Sequence, residues 1–180
     1  MLKNLKLEIQ EICNLNEVQS YLSTREENNP WRGTVIEDIS LLCNSQKGVC
    51  GELIVSSYME KKGYIIEKRN NISNDRIIKT NENVKYRVEI KTSVPLNKNV
   101  AINHIAKSKK WDRLIVFVCH PVDLQIYMLW FSKKDFVSSI EKNENFFKVQ
   151  QGGKISNNDD YIAKFEKLRN WKYLKEMDEW

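Results

Sequence analysis

At 180 residues, 41% of them apolar and 29% charged, the chain is long enough for one hydrophobic core and is neither collagen-like nor linker-like. The formal net charge of +5 suits a polyanionic partner without requiring one, and the longest apolar runs, such as LIVFVC, fall far short of a membrane span. Cys13, Cys43, Cys50 and Cys119 lack the close spacing of a zinc site, and only His104 and His120 accompany them, so a structural zinc is not expected. No signal peptide precedes them, which predicts free thiols in a reducing cytoplasm.

Leu2, Leu5, Ile9 and Ile12 recur at helical spacing, predicting one or two helices over 1–26. ENNPWRG breaks the pattern at Pro30 and Gly33, and TVIEDISLLCNSQ resumes it. KGVCGELIVSSYMEKKGY then predicts a largely buried helix ended by Gly63, with Glu52 the one charged residue between Val49 and Met59. YIIEKR, RIIKT and VKYRVEIKTS read as three strands, the last two a hairpin about the NEN turn, with Pro95 closing the third. Residues 100–112 are predicted to form a helix with a basic end. LIVFVC reads as a strand buried on both faces, followed by the HPVD turn and the strand LQIYMLWF. Ser132 should cap a short helix. QQGGK is a loop, and residues 159–177 are predicted to close the chain as an amphipathic helix.

In VKYRVEIKTS, Tyr86, Val88 and Ile90 alternate with Arg87, Glu89 and Lys91, so Glu89 and Lys91 share one face. Asp75 opens the preceding strand, and a hairpin would bring it near Glu89. Glu52 on a buried helix is either neutralised by a salt bridge or a proton, or else a ligand to a cation. Carboxylates gathered in a half-buried place repel one another unless a cation sits between them, and oxygen-only ligands select Mg²⁺ first, with Mn²⁺ as substitute. The backbone carbonyl of Ile90 could complete the shell. Lys91 would orient or deprotonate an attacking water or offset developing phosphorane charge.

The order buried helical Glu, strand, Asp, hairpin, Glu-x-Lys, helix, apolar strand resembles the PD-(D/E)XK nuclease superfamily, particularly its small type II restriction endonucleases, over about Lys47 to Trp130. KGVCGEL, KKGY, VEIKTS and WDRLIVFVCHP carry the likeness. Asn74, rather than proline, precedes Asp75. The resemblance implies an α/β (α+β) fold: a restriction-endonuclease-like core in the order α-β-β-β-α-β, with a mixed sheet of about five strands flanked by helices. It implies one nuclease domain, with residues 1–46 a helical N-terminal part, 47–131 the catalytic core and 132–180 a helical C-terminal part. Asp75, Glu89, Lys91 and Glu52 are then the catalytic residues, and Asp75, Glu89, Ile90 and Glu52 the ligands of Mg²⁺. Double-stranded DNA would be the partner, read by a homodimer at a palindromic site in a bacterial or archaeal cytoplasm. A junction resolvase, a repair nuclease, a catalytic subunit of a two-chain nicking enzyme, and a DNA-binding module with an idle core are the alternatives. Asn103, His104, Lys107, Lys109 and Lys110, and Gln150, Gln151 and Lys154, are either DNA contacts or solvated surface. Trp111 and Trp130 are expected in the core.

Overall fold

The structure is a computed structural model that describes residues 28–68, 74–150 and 159–180. The helices expected over 1–26, and Gln151 and Lys154, lie outside the described residues. Helix α1 (Glu37–Leu41) leads into the 18-residue helix α2 (Asn44–Lys61). At the start of α2 the Gln46 side chain accepts from the Cys43 N–H at 3.3 Å. At its end, Gly63 takes φ +90, and the N–H groups of Gly63 and Tyr64 donate to the carbonyls of Glu60 and Met59. Glycine relieves the strain of that left-handed turn, which is why the helix stops there. Its buried residues are Lys47, Gly51, Val55 and Met59, each four apart. Val49 and Leu53 are exposed, so α2 lies on the sheet by one stripe and is not buried on most sides as its composition predicted.

Strands β1 (Ile65–Lys68), β2 (Arg76–Lys79), β3 (Lys85–Ser93), β5 (Arg113–His120), β6 (Gln125–Ser132) and β9 (Lys175–Glu176) form a six-stranded sheet in the order β1-β2-β3-β5-β6-β9. Only β3 and β5 run parallel within it. Strands β4 (Ala101–Ala106), β8 (Asp160–Lys164) and β7 (Phe147–Val149) form a separate antiparallel sheet in the order β4-β8-β7. Helix α3 (Lys133–Glu141) begins at Ser132, whose hydroxyl accepts from the Asp135 N–H as its sequence position predicted. Helix α4 (Phe165–Leu168) is a single turn.

Strand β5 supplies both cores, which explains its unbroken apolar run. Ile115, Phe117 and Cys119 pack with Val55 and Met59 of α2 and with Val88 and Ile90 of β3. Leu114, Val116 and Val118 point the other way, into Trp111, Phe131, Phe136, Tyr161 and Trp171 under the smaller sheet.

The fold is mixed α/β, but its element order departs from α-β-β-β-α-β. No helix connects β3 to β5; residues 101–106 are strand β4. Its register shifts between Ile102 and Ile105, and His104 there has φ +57. The bulge places two buried isoleucines three apart, the spacing of a helix face, which is why the segment reads as one. The helix expected over 159–177 is likewise replaced by β8, α4 and β9. Tyr161, Ala163 and Phe165 are buried at strand spacing and Phe165, Leu168 and Trp171 at helical spacing, so two periods run together in one stretch. Among the described residues of 132–180, short strands alternate with short helices.

Candidate active site

The β2–β3 hairpin positions the first two carboxylates. Arg76 faces Val88 in the ladder. One residue before that pair, Asp75 is bonded to Val88 and Ile90, the two residues that flank Glu89. The Asp75 N–H donates to the Val88 carbonyl at 2.9 Å. The Ile90 N–H donates at 2.8 Å to Asp75 Oδ2, so this side chain extends the ladder where the backbone pairing ends.

Glu89 is 1% exposed although it is charged. Its Oε1 accepts from Lys91 Nζ at 2.9 Å and from Lys109 Nζ at 2.7 Å. Burying a carboxylate without such partners would cost several kcal/mol, on the order of the penalties for isolated buried ions. Glu89 Oε2 is also buried and accepts no hydrogen bond. Burial pushes the Asp75 carboxyl above its ordinary value, and the Glu89 charge pushes it further; the Ile90 N–H and the two ammoniums act against this.

Glu52 has a different environment. Its Oε2 pairs with Arg76 Nη1 at 2.8 Å. The same nitrogen donates to the Asp75 carbonyl at 2.8 Å, and Arg76 Nε donates to Ser56 Oγ at 3.1 Å. Arg76 thus ties α2 to the end of β2. Val88 and Ile90 face α2, so Glu89 and Lys91 project from the opposite face of β3. Among the described residues no three Asp, Glu, His or Cys side chains form a group that could hold a metal ion. Of the three acids singled out in the sequence, the fold therefore bonds Asp75 to the residues flanking Glu89 and engages Glu52 with an arginine.

The two carboxylates fit a hard divalent cation on local grounds. Both are oxygen donors, one oxygen of Glu89 is buried and unbonded, and the Asp75 charge is disfavoured where it stands. Mg²⁺ is commonly held by one or two carboxylates, with water and substrate oxygens filling its octahedron, so a third acid is not required.

The sequence places Lys109 among the candidate DNA contacts; the fold delivers it to Glu89. Its loop is fixed by the Lys107 N–H on the Asp159 carbonyl at 2.8 Å, by the Ser108 N–H on Asp159 Oδ2 at 3.1 Å, and by Lys133 Nζ on the Lys109 carbonyl. The only advance signal was its place a few residues before the apolar strand that pairs with β3.

The remaining candidate contacts gather on the smaller sheet. The His104 N–H donates to Gln150 Oε1 at 2.9 Å, and its Nδ1 lies 2.7 Å from Asp160 Oδ2. Two sequence segments some forty residues apart thus meet at the β4 bulge, where Asn103 and His104 are exposed. Lys110 is exposed and Lys107 half-buried. Trp111 and Trp130 are buried, as expected.

No family model matches the chain, and no curated protein matches it. Among solved structures, a bacterial homing endonuclease, I-Ssp6803I, aligns with 17% sequence identity over 54% of this chain and 74% of that chain, at a TM-score of 0.42. No helix among the described residues is long and apolar enough to cross a membrane.

Proposed function

We propose that the chain is a divalent-metal-dependent endonuclease that hydrolyses phosphodiester bonds of double-stranded DNA at a specific sequence, in the manner of a type II restriction enzyme of the PD-(D/E)XK kind. One observation carries this reading: across the hairpin Asp75 is bonded to Val88 and Ile90 on either side of Glu89, and Lys91 is bonded to Glu89 at 2.9 Å. Mg²⁺ or Mn²⁺ between these carboxylates would supply Lewis-acid polarisation of a phosphoryl oxygen and a more acidic water. Lys91, held by Glu89 and only 18% exposed, keeps a positive charge beside the carboxylates, where it offsets charge developing on phosphate oxygens and orients the attacking water. Asp75 holds its carboxylate in place through the Ile90 N–H. Glu52 is a positioning residue: it acts through Arg76, which grips the Asp75 carbonyl.

Sequence reading is assigned to the smaller sheet, where Asn103, His104 and Gln150 offer donors and acceptors suited to base edges. Lys107 and Lys110 are suited to phosphates. A palindromic target would be met by two copies about a two-fold axis.

The test is incubation of plasmid DNA with the chain in Mg²⁺ and in EDTA. Discrete fragments in Mg²⁺ and none in EDTA are expected. Undiminished cutting in chelator would overturn the metal-centred reading, preference for branched DNA would indicate a resolvase, and binding without cutting an idle core.

A further inference from the structure

We propose that Lys109 opposes a divalent cation at Glu89: its ammonium holds Oε1 of the carboxylate that would bind the ion, and it withdraws when the ion binds. The inference rests on the proposed metal-dependent reading of the same site. Glu89 already has one counter-charge in Lys91, at 2.9 Å, from its own strand. A second ammonium at 2.7 Å on the same oxygen adds little that the first does not supply. Two like charges sharing one acceptor also repel one another, so one of them is held weakly.

Lys109 is the one free to leave. It is 35% exposed where Lys91 is 18%, and it stands on a loop rather than within a central strand. Its backbone is nevertheless built into place by Asp159 and Lys133, so its arrival at Glu89 follows from the loop's own bonding. Asp75, Glu89, Lys91 and Lys109 together carry a formal charge near zero. A cation entering at the unbonded Oε2 meets the repulsion of the ammonium on Oε1 of the same carboxylate, so removing that ammonium should raise metal affinity.

The experiment titrates Mn²⁺ into the full chain without DNA and follows the free-ion signal by electron paramagnetic resonance. Lys109→Met and Lys109→Gln should each bind Mn²⁺ about tenfold more tightly than the wild type, the scale of one neighbouring charge at partial exposure. Glu89→Gln should lose that binding. Lys110→Met, on the same loop but exposed, should change affinity less than about twofold, which separates displacement at Glu89 from a general change of charge. Circular dichroism of each variant confirms the fold, and two substitutions at 109 guard against one that misfolds. Unchanged or weaker Mn²⁺ binding in both Lys109 variants, with Glu89→Gln still defective, overturns the competition and leaves the metal-dependent reading standing. Absence of any Glu89-dependent Mn²⁺ binding overturns both. Tighter binding in the Lys109 variants of a chain that cuts no DNA supports the competition and overturns the nuclease reading alone.

Discussion

Gly51 gives a prediction whose sign decides between two roles for one residue. It lies on the buried stripe of α2, against Thr92 of β3. A Cβ built there would sit 1.9 Å from Thr92 Oγ1 and 2.8 Å from both Thr92 Cβ and Cγ2. Rotating the threonine exchanges its branches but leaves its Cβ in place at 2.8 Å, so the helix or the strand must retreat by about 1 Å to reach ordinary contact. Overpacking of this kind costs up to about 3 kcal/mol. Alanine returns about 1 kcal/mol of helix propensity. Gly51→Ala should therefore lose a net ~2 kcal/mol, or about 4–8 °C in melting temperature for a chain of this size. The control is Gly48→Ala in the same helix, where a Cβ meets nothing within 4 Å. It should gain up to about 1 kcal/mol, and melt about 2–4 °C higher. Thermal unfolding of the two variants and the wild type measures all of this. A Gly51→Ala chain that melts as high as Gly48→Ala would refute the close approach of α2 to β3, and with it the account of how the helix is set against the active strand.

Lys91→Ala should reduce single-turnover cleavage by about two orders of magnitude or more while Mn²⁺ binding persists or tightens, since both carboxylates remain; cleavage near the wild-type rate would show Lys91 to be strand decoration. Asp75→Asn should stabilise the fold near neutral pH. The folded-state pKa of Asp75 is raised, so its favourable contribution is complete below its ordinary value and is lost as pH rises through the raised one. An amide keeps an acceptor for the Ile90 N–H without the charge, and the difference in melting temperature should vanish near about pH 3, where both side chains are neutral. Thiol labelling should reach Cys43 before Cys50 and Cys119, because it is exposed and its hydrogen bond with Ser45 lowers its pKa. Cys119, buried and pushed up to about 12, should react only after unfolding, as mass spectrometry of partly labelled chains would show.

The elements legible in the sequence are those in which one physical cause dominates. Strand β5 shows itself because both of its faces are buried, and the β2–β3 hairpin because alternation and turn residues agree. The approach of Asp75 to Glu89 follows from that hairpin alone, since the turn between them sets the register up to Arg76 and Val88. Strand β4 is misread because the bulge at His104 changes the spacing of its buried residues, and its ladder partner, β8, lies about sixty residues away. Lys109 is hidden for the same reason: its partner is chosen by the path of the chain after β4, not by local pattern. Glu52 does carry an unusual charge for its surroundings, but its counter-ion, Arg76, belongs to a strand whose side-chain directions no periodicity of α2 reveals.

Strands β3 and β5 are neighbours in space, yet the chain between them leaves the main sheet to form β4, whose partner β8 follows much later. Such long-range closure is slow compared with hairpin formation. During refolding the β2–β3 hairpin can thus assemble with Asp75 and Glu89 already brought together, before the loop bearing Lys109 is anchored by Asp159. Pulsed hydrogen exchange should find the amides of β4 gaining protection together with those of β8 and after those of β2, so that the cluster's last charge arrives with the C-terminal third of the chain.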